Sequence, residues 1–139
     1  MIFVTLVIPI LNEMEKVESL LDAVHLQTSR PKEIIIIDAG STDNTVDRIV
    51  NLWDNYDWQG TELKILHARG AFPGGGRNQG IIRAKYDFIA FLDAGVIPEE
   101  NWLENLIICI KNKSAPPAVF GLCVFEADNT VSKAICAVS

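Results

Sequence analysis

The chain is poor in the residues that mark several common functional classes. Cysteine is scarce: Cys109, Cys123 and Cys136 are the only three in 139 residues. An odd number without paired C-x-x-C spacing excludes a disulfide framework or a zinc module and fits small buried hydrophobes of a reducing compartment. Positive charge is also short, with 12 Lys and Arg against 18 Asp and Glu and a net charge of -6. A nucleic-acid surface would need clustered basic residues, and none occur. There are two histidines, His25 and His67, and no Ser-His-Asp order or nucleophile elbow. No apolar run is long enough to span a bilayer. The apolar start, Met1 to Leu11, lacks a basic flank and is broken by Pro9, so it reads as a core strand and not as a targeting segment. With the chain's length, these absences predict a single globular domain of the cytoplasm, with membrane contact at most peripheral.

What is present is a regular alternation of strands and helices. Phe3 to Ile8 reads as a strand ended by Pro9, and a helix follows from about Glu13 to Gln27, with Val17, Leu20, Leu21 and Val24 on one face. Glu33 to Ile37 is the next strand. Ser41 or Thr42 is placed to cap a helix whose buried stripe is Val46, Ile49, Val50 and Trp53. Leu63 to Leu66 is a third strand, and a Gly-rich loop, Gly70 to Gly76, opens a short helix to about Lys85. Phe88 to Leu92 is the fourth strand. Pro98 suits a first helical position, with Leu103, Leu106, Ile107 and Ile110 facing inward. Ala118 to Phe125 reads as a fifth strand. This order predicts a three-layer, Rossmann-like, mostly parallel sheet with helices on both faces.

Four polar clusters fall at predicted strand ends, where open α/β sheets bind ligands. Pro9-Ile10-Leu11-Asn12-Glu13 is explained by capping as well as by ligand binding. Asp38-Ala39-Gly40-Ser41-Thr42-Asp43 joins a carboxylate, a glycine turn and a helix start. There Asp38 can accept from a base N–H or a hydroxyl, and Ser41 and Asp43 read best as caps. Phe72 to Gly80 carries three consecutive glycines and Arg77, a phosphate or base partner. It has neither G-x-G-x-x-G spacing nor a following Lys-Ser/Thr, so it is not a dinucleotide fingerprint or a P-loop. Asp93-Ala94-Gly95 repeats the Asp-Ala-Gly of Asp38 to Gly40 at the end of the fourth strand, a place where carboxylates hold divalent cations.

Together these segments resemble the nucleotide-binding half of glycosyltransferase family 2, the inverting enzymes of GT-A fold, through about the first 125 residues. Val7 to Glu13 is similar to the family's opening strand and P-x-x-N-E turn, and Ile36 to Thr45 to its V-D-D-G-S-x-D-x-T element, with Ala39 in place of the second Asp. Gly76-Arg77-Asn78-Gln79-Gly80 resembles A-R-N-x-G, and Phe91 to Gly95 stands where the family has D-x-D. The resemblance implies transfer of a sugar from a UDP- or GDP-linked donor to an acceptor hydroxyl, with inversion. It places Pro9, Asn12, Glu13, Asp38, Gly40, Arg77 and Asp93 at the nucleotide. Gly95 replaces the second Asp of D-x-D, which leaves Asp93 as the one candidate ligand for Mg²⁺ or Mn²⁺. No residue corresponds to the family's general base, so residues 127–139 are expected to begin a truncated acceptor half. Residues 1–126 are then the family-like core, and a missing half could lead the chain to self-associate. A non-catalytic nucleotide-sugar-binding module is the alternative. A sugar nucleotidyltransferase ranks behind both, because its Gly-rich signature would follow the first strand.

Overall fold

The computed structural model describes residues 1–111 together with 118 and 119. Four strands, β1 (Val4–Ile10), β2 (Glu33–Asp38), β3 (Glu62–His67) and β4 (Phe88–Phe91), alternate with helices α1 (Val17–His25), α2 (Thr45–Trp53), α3 (Pro73–Arg83) and α4 (Trp102–Lys111). All strand pairs are parallel, in the order β3-β2-β1-β4. The expected three-layer α/β sheet is therefore present. The fifth strand and residues 127–139 lie outside the described residues.

The two faces of the sheet follow from the alternation of side chains along β1. Val4, Leu6, Ile8 and Ile10 join one large core with Val17, Leu20, Leu21 and Val24 of α1, Ile49 and Leu52 of α2, and Leu103 and Ile107 of α4. Val7, Ile35 and Ile37 form a smaller core on the other face, where α3 packs on β1 and β2. Because β2 is covered on both faces, its run Ile34-Ile35-Ile36-Ile37 is continuously apolar and at most 1% exposed.

β1 runs through Pro9 instead of ending there. The carbonyls of Val4 and Ile10 accept from Lys32 and Ala39 on the β2 side, whereas that of Val7 accepts from Leu92 on the β4 side. Pro9, two residues past Val7, thus turns its missing N–H toward β4, whose pairing ends at Val7 and Phe91.

Other expectations need revision at helix starts. Asn44, in left-handed conformation at φ 64°, precedes α2; neither Ser41 nor Thr42 caps it. The buried stripe of α2 uses Thr45, Ile49 and Leu52, and Val50 is exposed, because a 3.6-residue period carries it off the face. The three glycines are not a loop but the first turn of α3, after Pro73 at a position where its missing donor costs nothing. Pro98 lies in the connection before α4, which begins only at Trp102. Leu106 and Ile110 are half-buried, while Cys109, expected inside, is exposed on the outer side of α4.

Candidate functional site

The chain order reverses at β1: β2 and β3 lie on one side and β4 on the other. Such a switch point opens a crevice at the carboxyl ends of the strands. A cavity of about 260 Å³ lies there, lined by Pro9, Ile10, Leu11 and Glu13 after β1, Ile37 and Ala39 from β2, Ala71, Phe72, Gly76 and Arg77 at the start of α3, and Asp93 to Gly95 after β4. Four of the residues singled out from the sequence, Pro9, Glu13, Arg77 and Asp93, therefore share one cleft. Gly76 belongs to its floor: a Cβ there would stand 3.3 Å from Ile37 and 3.7 Å from Pro9, a tight contact that would push Ile37 back by a few tenths of an ångström.

Asn12, Asp38 and Gly40 do not line the cleft; they hold the loops that do. Asn12 has φ 52°, and its amide oxygen accepts from the Thr42 N–H at 2.8 Å. In return, the Asn12 N–H donates to Ser41 Oγ at 2.9 Å, the Glu13 N–H to Thr45 Oγ1 at 2.9 Å, and the Met14 N–H to Asp43 Oδ2 at 3.1 Å. Asp43 also accepts from the hydroxyl and N–H of Thr45. The side chains read as helix caps thus brace one strand-end loop against the next. Gly40, at φ 110°, supplies a turn that side chains rarely adopt, although a Cβ there would meet Arg69 only in ordinary contact.

Asp38 is 4% exposed. Its Oδ1 accepts from the Ser41 N–H at 2.9 Å and its Oδ2 meets His67 Nδ1 at 3.2 Å. Burial pushes the carboxyl up, but hydrogen bonds from Ser41, His67 and the Gly40 N–H outweigh it and hold Asp38 below its usual range. It stays ionised and acts only as an acceptor. His67 was assigned no role from sequence. The signal for it was positional, since it closes β3 in register with Asp38 at the end of β2.

The cleft's charges occur as two ion pairs. Arg77 bonds to Asp93, and Lys16 Nζ lies 3.1 Å from Glu13 Oε2. Gly95 is exposed and adds no donor. Among the described residues no group of three or more His, Cys, Asp or Glu side chains could hold a metal ion. Mg²⁺ and Mn²⁺ favour several oxygen ligands, and both carboxylates of the cleft, Glu13 and Asp93, are already paired with basic side chains, so the described residues by themselves fit a divalent cation poorly.

A parallel sheet with a mainly apolar cleft at its switch point, carrying the charged side chains of Glu13, Arg77 and Asp93, has the arrangement in which open α/β domains bind ligands. The Glycosyl transferase family 2 model matches residues 5–119, and the chain belongs to that family. It is 35% identical over 109 residues to the glycosyltransferase AglE of Haloferax volcanii, covering 74% of this chain and 34% of that protein. To the poly-beta-1,6-N-acetyl-D-glucosamine synthase of Staphylococcus aureus strain COL it is 36% identical over 118 residues, covering 85% and 28%. The chain thus spans about a third of the length of these relatives. The fold matches S. aureus TarS 1-349 in complex with UDP-GlcNAc, with TM-score 0.66, 22% identity and 79% and 31% of the two chains covered. It also matches the mannosyltransferase PcManGT of Pyrobaculum calidifontis in complex with GDP-Man and Mn²⁺, with TM-score 0.69, 21% identity and 80% and 33% covered. The GT-A type of fold expected from the sequence is thereby established. No helix among the described residues is long and apolar enough to cross a membrane.

Proposed function

We propose that this chain forms the donor-binding part of a glycosyltransferase that moves a sugar from a nucleoside diphosphate to an acceptor hydroxyl, with inversion at the anomeric carbon. The observation that carries the reading is the convergence of Pro9, Glu13, Arg77 and Asp93, from two strand ends and one helix start, on a single cleft. Arg77 is suited to a phosphoryl oxygen, which its planar fork of donors matches. Asp93, 59% exposed, accepts from ribose hydroxyls. Asp38, held ionised behind Ala39 and outside the cleft lining, is the acceptor assigned to a base N–H, and Pro9 lines the cleft from the neighbouring strand, in register with Ile37.

The cavity's size suits part of a nucleotide and leaves the sugar and acceptor to groups outside it. A binding module without transfer is favoured by one observation: both cleft carboxylates, Glu13 and Asp93, are tied to cations, so neither is a free base.

Calorimetry with UDP and GDP tests the donor site. One of them should bind, and Asp38→Ala should weaken binding about tenfold or more, the loss of a charged acceptor. Unchanged affinity in that variant would remove Asp38 from the base. Release of free sugar from UDP-GlcNAc or GDP-mannose by the chain alone would exclude the module reading.

A further inference from the structure

The cleft must offset the negative charge of a diphosphate, and its arrangement points to side chains as the source. Asp93 is already paired with Arg77, and position 95 carries no side chain. An ideal Cβ built on Gly95 would lie 3.9 Å from Lys16 Nζ, with no other non-neighbouring heavy atom within 4 Å. The ammonium group therefore occupies the space that a longer residue at 95 would point into. Glu13 and Gly95 both line the cleft, so Lys16, 3.1 Å from Glu13, stands at its edge. It is also the residue before α1, whose N-terminal end favours an anion.

We propose that Arg77 and Lys16 together neutralise the donor diphosphate, and that nucleotide binding by this chain needs no divalent metal. The inference rests on the donor-site reading above. When the nucleotide enters, Lys16 turns from Glu13 and Arg77 from Asp93 toward phosphoryl oxygens, exchanging one anionic partner for another. No bond is made or broken in this step.

The test is calorimetry of the full chain with UDP and with GDP, once with EDTA and once with Mn²⁺. The proposal expects the dissociation constant to agree within about threefold between the two conditions, the scale of a weak surface electrostatic effect. Lys16→Ala should weaken binding in EDTA by about tenfold, and Lys16→Arg should retain most of it. Lys16 is 61% exposed, so both variants should fold, and an unchanged melting temperature would show that they do. A Cβ at position 95 is in ordinary van der Waals contact, and Gly95→Asp, with Asp93, offers a metal two carboxylates; it should make binding at least about tenfold tighter in Mn²⁺ than in EDTA. A wild-type chain that binds nucleotide only with Mn²⁺ overturns the proposal, as does a Lys16→Ala variant that binds like wild type. Failure of both nucleotides to bind under either condition overturns the donor-site reading and this inference with it.

Discussion

Gly80→Ala is the most revealing single methyl that can be added to this fold. Gly80 lies inside α3, where alanine normally gains about 1 kcal/mol over glycine. Here the new Cβ would fall 2.9 Å from Val7 Cγ2 and closer still to Cγ1. Val7 is fully buried and belongs to β1, which is hydrogen-bonded on both sides and cannot recede. Overpacking of this kind costs about 1–3 kcal/mol, and the rigid backing places it near the upper end. The net expectation is a loss of about 1–2 kcal/mol despite the better helix former. Urea unfolding followed by tryptophan fluorescence should show a midpoint lowered by about 1 M. Val7→Ala alone should cost about 2–3 kcal/mol from lost burial and the space left behind. In the double variant the two side chains meet only at Val7 Cβ, 3.2 Å away, so the losses should fall short of additive by about 1–2 kcal/mol. A Gly80→Ala variant as stable as wild type, or strictly additive losses, would refute the claim that α3 rests on β1 through this glycine.

Three further outcomes are expected. Glu33 is fully buried, accepts from Thr5 Oγ1 at 2.7 Å and the Lys85 N–H at 2.8 Å, and pairs with Lys64. Burial raises its pKa, but these partners outweigh it and hold the carboxyl below its usual value. Its contribution is therefore full above the unfolded pKa, about 4.3, and is lost as pH falls from there through the lower folded value; melting temperatures from pH 6 to pH 3 should drop less steeply for Glu33→Gln than for wild type. Asn12→Ala should lose about 2 kcal/mol in denaturant unfolding, through the Thr42 bond and a left-handed backbone, whereas Asn12→Gly should lose only the hydrogen-bond share. The Tyr56 hydroxyl, pushed up to about 12 by burial and by its bond to Asp22, should titrate near that pH by ultraviolet absorbance in a Tyr86→Phe background.

Strand identity was legible from short apolar runs. At Ile34 to Ile37 the run reflects burial on both faces, whereas β4 keeps an apolar run although Phe88 and Phe91 are exposed. The strand-end position of the site followed from the same pattern, and so did the grouping of Pro9, Glu13, Arg77 and Asp93. What could not be read was how polar side chains divide between capping, bracing and binding. Ser41 and Asp43 have the composition of helix caps, yet they bond backbone donors some 29 residues away in sequence, a choice that depends on tertiary packing. The three glycines read as a loop that approaches a ligand, and neither their place in the first turn of α3 nor the close packing of Gly76 on Ile37 was visible in the sequence. Lys16 carried no signal at all, because its significance depends on what is absent at position 95.

The bracing between the first two strand-end loops has a consequence for how this site can change. Its hydrogen bonds run from main-chain donors to short side chains at Asn12, Ser41, Asp43 and Thr45, none of which lines the cleft. Leu11 and Ala39, which do line it, take no part through their side chains. The scaffold and the recognition surface are thus written in separate residues of the same two loops. On the proposed donor-site reading, substitutions at 11 and 39 would alter ligand preference while the braced wall keeps its shape, and a wall already held by these hydrogen bonds would lose little conformational entropy on binding.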